Sequence, residues 1–354
     1  MTTDGECSKF VSNFVDSLKK LQEGADGSYP KEISDECIFS PSNVKDRRLQ
    51  SVISQVAIQR HVAITRQEYI NSESHTTSDM AWLEGISSEE GSLWLDTIPY
   101  KTEMEMKPQI FKSAIRYRYR LAQSTIIPGT YCNCKRNDGR CPLDVTGLHL
   151  STHCTKNGYV VMTHDNIKFC LNNILRQAGR RTKIEERHCF TMAFPDNNSK
   201  PDITMINSPF SPNKELVIDV TIAAPIPGEF SQQQLSKEAA LIPLRAANAA
   251  FQKKNQKYLT IANSNNLDFL PFVIESTGKI HPDSLSLLQK LSQASEIFWR
   301  IPQKTIYKYW LRLLSITLQR SLITSILERS HIINGSFDSV LNDSHLNDLR
   351  NARL

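Results

Sequence analysis

The chain lacks a long hydrophobic run, a secretory leader and a cysteine content that could support a disulfide scaffold. No apolar stretch reaches the roughly 18 residues of a transmembrane helix, so we expect no membrane span or membrane partner. The first residues have neither a basic start nor an apolar segment, which predicts a protein that is not secreted. Four of the 8 cysteines fall within residues 132–154, which favours a metal site in the reducing cytosol or nucleus.

Charge is distributed unevenly along the 354 residues. Residues 1–100 hold 9 Lys or Arg against 16 Asp or Glu, whereas residues 101–190 hold 16 against 7. The remainder, 191–354, holds 17 against 14. A basic block of this kind is typical of either a solvated surface or a polyanion-binding region. Its position beside the cysteines favours nucleic acid, either DNA or RNA, as the partner.

Breaks in hydrophobic periodicity divide the chain into four predicted segments. Residues 1–90 form a helical leader whose role the sequence does not indicate. Residues 91–160 hold a basic helix and the cysteine cluster, and residues 161–281 form the core. A helical C-terminal extension covers residues 282–354.

The core segment alternates between helical and strand patterns, which predicts the α/β (α+β) fold class. Its order of α-β-β-β-α-β indicates a mixed four-stranded sheet flanked by helices, with a small zinc knuckle and helical N- and C-terminal extensions around it. The predicted elements are a helix at 163–178, strands at 183–190, 202–207 and 215–222, a helix at 234–258 and a strand at 267–275.

The cysteine-rich segment contains soft ligands at spacings suited to structural zinc. The candidate ligands are Cys132, Cys134, His149 and Cys154. The first two can form a knuckle, and the last two can lie on one side of a short helix. Cys141 is an alternative in the first half and His153 in the second. The alternative to a metal site is a set of unrelated reduced thiols. No Glu accompanies a histidine in a His-Glu-x-x-His arrangement, so the predicted zinc is structural rather than catalytic.

Two acids at the ends of neighbouring strands form a second candidate site. Asp202 follows Pro201 at the start of one strand, and Asp219 lies inside the apolar strand 215–222. A buried acid is costly unless it is paired or holds a metal. Carboxylate oxygens suit Mg²⁺ or Mn²⁺, which metal-dependent phosphodiester cleavage requires. Alternatively, Asp202 only begins a turn and Asp219 pairs with an arginine.

Three further residues complete this predicted site. Lys254 and Lys257 lie three apart on a helix and share a face, from which one of them could orient the attacking water or stabilise the charge on phosphorus. Strand periodicity in 183–190 favours Glu186 over the adjacent acid as the inward-pointing residue. The alternative for both lysines is a solvated basic face.

These motifs resemble the restriction-enzyme-like endonuclease domain of non-LTR retrotransposons, a member of the PD-(D/E)xK nuclease superfamily. The similarity covers roughly residues 90–330. It lies in Cys132-x-Cys134, Asp144-x-x-Gly147-x-His149-x4-Cys154, Ala178-Gly179, Lys200-Pro201-Asp202, Asp219-Val220-Thr221, Lys254-x-x-Lys257-Tyr258 and Phe272-x-x-Glu275-x-x-Gly278, with Trp94-Leu95 and Pro99 ahead of the basic helix.

The resemblance implies a Mg²⁺-dependent DNA endonuclease, a phosphodiester hydrolase that nicks or cuts a target site in the nucleus. It implies Asp202 and Asp219 as magnesium ligands and a zinc knuckle that helps to grip nucleic acid. A reverse transcriptase is then the expected partner, as a domain or in trans, because the chain carries no reverse transcriptase signature of its own.

The sequence departs from the family pattern at three points. Thr221 stands where the superfamily lysine usually follows the second acid, so Lys254 or Lys257 is expected to replace it. The interval between the acids is long, and an insertion containing Cys141 leaves the zinc ligands open. The competing function is a catalytically inactive zinc-knuckle module that binds nucleic acid.

Overall fold

The computed structural model describes residues 77–136, 139–154, 158–186, 190, 200–226, 238–239 and 242–335. They belong to one compact unit that comprises residues 69–354. Most of the predicted leader, 1–76, lies outside the described residues.

The described strands form two sheets. A two-stranded hairpin pairs β1 (Tyr131–Arg136) with β2 (Gly139–Pro142). The main sheet contains β3 (Thr182–Ile184), β4 (Ile203–Met205), β5 (Leu216–Ala223) and β6 (Asp268–Glu275), in the order β3-β4-β5-β6.

Seven α-helices surround these sheets in the described part of the chain. They are α1 (Thr77–Ile86), α2 (Glu89–Ser92), α3 (Pro108–Arg118), α4 (Tyr159–Gln177), α5 (Arg245–Ser264), α6 (Pro282–Trp299) and α7 (Gln303–Asn334). A 3-10 turn at Thr102–Met104 and a wide helical turn at His149–His153 complete the regular structure. None of the described helices combines the length and the hydropathy that crossing a bilayer requires.

The main sheet is mixed, as the sequence predicts. Strands β3, β4 and β5 run antiparallel in succession, whereas β5 and β6 run parallel with α5 as their crossover. A parallel pair needs such a crossover because the end of the first strand and the start of the second lie at opposite ends of the strands. The helix α4 precedes β3, so the α-β-β-β-α-β order and the four-stranded mixed sheet are confirmed.

The two faces of β5 pack against different helices. Leu216, Ile218 and Val220 join the main core with side chains of α4 and α7. The alternate position Val217 packs on the opposite face with Tyr258 of α5. The strand is buried on both faces, which explains its nearly continuous apolar sequence.

The long helix α7 is part of the core. Its buried side chains pack against α3, α4 and the turn before Cys154. Polar side chains on the same helix bind preceding segments: Ser315 donates to the carbonyl of Glu90, and Arg320 donates to those of Glu103 and Glu105. The predicted C-terminal extension therefore packs directly on the elements around the sheet.

Two elements differ most from their predicted bounds. The strand predicted at 183–190 ends at Ile184, because Glu185 adopts a left-handed conformation with φ of 53°. The helix predicted at 234–258 begins at Arg245, after Leu244 with φ of 61°. Residues 187–189 and 227–237 lie outside the described parts.

Candidate functional site

The cysteine–histidine cluster forms where the β1–β2 hairpin meets the turn at His149–His153. One ligand atom from each of four buried residues lies within 4.8 Å of the others, and these residues are Cys132, Cys134, His149 and Cys154. The Sγ atoms of Cys132 and Cys154 are 3.5 Å apart. Tetrahedral zinc–thiolate bonds of about 2.3 Å place two sulfurs about 3.8 Å apart. The cluster therefore fits a structural zinc ion.

Local backbone contacts build the histidine half of this cluster. The carboxylate of Asp144 accepts hydrogen bonds from the backbone N–H groups of Leu148 at 2.9 Å and His149 at 2.7 Å. The turn then closes when the N–H of Cys154 donates to the carbonyl of His149 at 2.9 Å. One wide helical turn therefore brings the ligand atoms of His149 and Cys154 to the same side.

Cys141 lies next to the cluster, on the outer side of the histidine ring. Its Sγ is 3.5 Å from Nδ1 of His149, whereas Nε2 of the same ring is 3.5 Å from Sγ of Cys134. Neither Cys141 nor His153 belongs to the compact group of ligand atoms found in the described residues. The geometry favours Nε2 as the metal-binding nitrogen and Cys141 as a neighbour that orients the ring.

The two predicted acids lie opposite each other in the main sheet. The antiparallel register pairs Ile203 of β4 with Ile218 of β5. Asp202 precedes Ile203 and Asp219 follows Ile218, so in an antiparallel pair the two acids occupy adjacent positions across the strands. Asp219 is 5 % exposed and Asp202 is partly buried. The fold thus concentrates two carboxylates in a poorly solvated place.

One carboxylate oxygen of Asp202 is held by the protein. Its Oδ2 accepts a hydrogen bond of 2.7 Å from the backbone N–H of Val220, and it lies 3.1 Å from Nε2 of His164 on α4. In the described part of the chain, its Oδ1 has no hydrogen-bond partner. The side chain is therefore oriented while one oxygen remains available to a ligand.

Asp219 forms an ion pair with Lys254. The lysine Nζ lies 2.7 Å from Oδ2 of Asp219, and the hydroxyl of Thr221 lies 3.4 Å from the same oxygen. Burial raises the pKa of Asp219, and the ammonium of Lys254 opposes that increase. Among the described residues, Oδ1 of Asp219 also has no hydrogen-bond partner. The lysine that contacts the acid thus comes from α5 rather than from position 221.

The structure places the other predicted residues in contact with other groups. Lys257 is exposed, with its Nζ 4.6 Å from the centre of the Tyr258 ring. Glu186 lies beyond the end of β3, and its Oε1 is 2.6 Å from Nζ of Lys183. The adjacent residue, Glu185, lies next to Asp202. Its backbone N–H donates a hydrogen bond of 3.1 Å to the carbonyl of Asp202.

A charged network on α4 adjoins Asp202, and sequence patterns did not reveal it. Nδ1 of His164 lies 3.2 Å from Asp165, while the buried Lys168 contacts Asp165 at 2.8 Å and Glu185 at 2.6 Å. Burial alone would lower the pKa of His164, but its bonds to Asp165 and Asp202 raise it to about 9. A spacing of one helical turn between His164 and Lys168 was the available signal.

Part of the basic block serves internal contacts. Arg118 donates to the carbonyls of Gly91 and Ile86, each at 2.7 Å. Arg120 pairs with Asp79 at 2.6 Å, and Arg116 donates to the carbonyl of Ala122 at 2.6 Å. These arginines of the predicted basic helix fasten α3 to its neighbours, so the net charge of the segment overstates what is available to a polyanion.

Fold and clusters together define a mixed α/β protein with a thiol-rich site suited to zinc and a pair of opposed acids beside a lysine. No family model matches the chain. The chain is 30% identical over 160 residues to the retrotransposable element SLACS 132 kDa protein of Trypanosoma brucei gambiense. That match covers 44% of this chain and 13% of the relative. The similarity supports a retrotransposon origin for the chain.

Proposed function

We propose that this protein is a metal-dependent DNA endonuclease of retrotransposon origin, which nicks or cuts target DNA in the nucleus. The observation that carries the proposal is the pair Asp202 and Asp219, opposed across two strands, with Nζ of Lys254 2.7 Å from Asp219. Two carboxylates and a cation, close together on two neighbouring strands, form a suitable arrangement for phosphodiester hydrolysis. A reverse transcriptase, as a domain or in trans, is the proposed partner.

The two acids fit a hard divalent cation such as Mg²⁺ or Mn²⁺. Each uses Oδ2 for contacts within the protein and, among the described residues, leaves Oδ1 without a partner. Carboxylate oxygens of this kind would hold the ion. When bound, the ion would stabilise negative charge on the scissile phosphate and lower the pKa of a water molecule.

The neighbouring side chains orient and balance these carboxylates. Lys254 offsets the charge of Asp219 in a site where burial otherwise favours the neutral acid. His164 and the N–H of Val220 restrict rotation of Asp202. An arrangement fixed before substrate binds lowers the reorganisation that cleavage requires.

The exposed face of α5 is the proposed contact surface for the DNA backbone. Lys253 and Lys257 are exposed and lie one turn apart, on either side of the partly buried Lys254. Lysines on a surface next to the acids would contact phosphates without reading sequence. Binding should therefore weaken as salt rises, since each such contact releases counterions.

The test is nicking of supercoiled plasmid by the purified protein with Mg²⁺ or Mn²⁺, with EDTA as the metal-free control. Asp219→Asn and Asp202→Asn remove a charge while they preserve side-chain size, and both should abolish nicking. Asp283→Asn, at the exposed start of α6, is the matched control and should cut like the wild type. Cleavage that survives Asp219→Asn would contradict the proposed site.

A second candidate is a zinc-containing module that binds nucleic acid without cutting it. Thr221 at the usual position of the superfamily lysine favours this alternative, because a threonine cannot supply the ammonium charge at that position. Salt-sensitive DNA binding without nicking at any tested metal would support it. In that case, Asp219→Asn should leave binding unchanged.

A further inference from the structure

A buried arginine of α7 lies against the cysteine–histidine cluster. Arg329 is 2 % exposed, and its Nη2 donates a hydrogen bond of 3.2 Å to Sγ of Cys132. A guanidinium keeps its charge in proteins and has no acceptor atom, so the sulfur must be the acceptor. A thiolate accepts such a bond far better than a thiol does.

The charge of the proposed zinc centre explains why a cation is needed there. Three thiolates, one neutral imidazole and a divalent ion leave one net negative charge on a Cys3His centre. All four ligand residues are buried, so water does not offset that charge. A buried charge is costly unless an opposite charge accompanies it.

We propose that Arg329 is the countercharge of the zinc centre and a positioning residue for Cys132. Its guanidinium balances the single net negative charge of the Cys3His zinc centre and fixes the sulfur of Cys132 towards the metal. The proposal goes beyond DNA cleavage and does not depend on it, because zinc affinity can be measured in a protein that has no nuclease activity.

The consequence is that the metal site has a component far away in the sequence. The ligands come from residues 132–154, whereas the countercharge comes from the helix that packs on α4 and the core of the sheet. The centre therefore fastens the hairpin to α7 instead of forming a separate knuckle.

The experiment measures zinc affinity by competition with a chromophoric chelator, and ligand geometry by the absorption spectrum of the Co²⁺-substituted protein. Arg329→Gln removes the charge but keeps an N–H donor, and Arg329→Lys keeps the charge. Arg320→Gln is the control, since Arg320 is buried on the same helix and donates to backbone carbonyls instead of a thiol.

We expect Arg329→Gln to weaken zinc binding by about 10- to 100-fold. Arg329→Lys and Arg320→Gln should remain close to the wild type, and the Co²⁺ spectrum of each folded variant should keep its thiolate bands. An equal loss in Arg329→Lys would overturn the countercharge role, and an equal loss in Arg320→Gln would attribute the effect to general instability. If Arg329→Gln does not fold, Arg329→Lys decides: an affinity near the wild type supports the proposal, whereas a loss of about tenfold or more contradicts it.

Discussion

At the scale of single residues, the acid pair depends on how each carboxylate is balanced. Asp219 is nearly inaccessible to water, and Lys254 is the cation that contacts it. Without that ammonium, desolvation would favour the protonated acid, which is a poor ligand for a divalent ion. Lys254 therefore opposes the protonation of Asp219 that burial favours.

We predict that Lys254→Met lowers the nicking rate by about 100-fold or more, because loss of a charged partner in a preorganised site has an effect of that order. Lys257→Met is the matched control on the same helix. It should reduce DNA affinity modestly and leave the rate at saturating DNA nearly unchanged. Single-turnover nicking rates measure both, and equal rate losses in the two variants would reject the assignment to Lys254.

A second buried acid gives a prediction about stability and pH. Glu275 is 3 % exposed at the end of β6 and accepts a hydrogen bond from the N–H of Ala247. Burial raises its pKa above the usual 4.5, although the bond from Ala247 opposes the shift. The native state therefore binds a proton more readily than the unfolded state. Its free energy of unfolding falls as the pH rises from the usual pKa of the carboxyl group towards the raised pKa of Glu275.

Glu275→Gln should remove this part of the pH dependence. The free energy of unfolding of the variant should decline less than that of the wild type as the pH rises above about 4.5. Denaturant unfolding at several pH values measures the difference. Glu296→Gln, at an exposed position on α6, is the control and should parallel the wild type. A parallel course for Glu275→Gln would contradict the prediction.

At the scale of elements, strand patterns and ligand spacing predicted more than the contacts between distant segments did. The apolar sequence of residues 215–222 predicted a core strand, and Cys132-x-Cys134 predicted a knuckle, because both signals are local. Arg329 could not be found this way, since its partner is remote in sequence. Glu186 was favoured on strand periodicity, but the strand ends before that residue.

The turn that carries His149 depends on close packing against α7. Gly147 has φ of 87°, and a Cβ at this position would lie 2.9 Å from side-chain atoms of Ile326. A non-glycine residue would therefore be strained in its backbone and would also clash. The position of the turn that carries His149 is linked to the long helix through this contact.

We predict that Gly147→Ala destabilises the protein by about 2–4 kcal/mol and weakens zinc binding, because strain and overpacking add. Gly129→Ala is the control. Gly129 also has a positive φ, 81°, but its Cβ would meet nothing within 4 Å. That variant should lose only about 1 kcal/mol. Denaturant unfolding and chelator competition measure both, and equal losses would show that the contact with Ile326 is unimportant.

At the scale of the whole molecule, α7 connects the cysteine–histidine cluster to the sheet. The helix contacts α4, which in turn packs on β5, and it donates to Cys132. Elements that share one buried helix are expected to unfold together. The two candidate sites should therefore depend on each other for stability although they use different residues.

Removal of zinc should lower the melting temperature of the entire described unit. We expect far-UV circular dichroism and tryptophan fluorescence to follow one coincident transition with zinc, and one transition at lower temperature after chelation. Readdition of zinc, but not of Mg²⁺, should restore the original midpoint. A separate early transition, with the sheet unaffected, would show that the cluster is an independent appendage.

The late position of α7 in the chain also affects the order of events during synthesis. A ribosome completes the acids and the thiol ligands long before it reaches Arg320 and Arg329. Domains usually fold as units during translation, yet this unit lacks its central helix until residue 334 has emerged. A nascent or prematurely terminated chain would hold every predicted catalytic residue but would lack the buried side chains that α7 contributes to the core. Under the proposed function, cleavage of DNA would then require a polypeptide that is translated through α7.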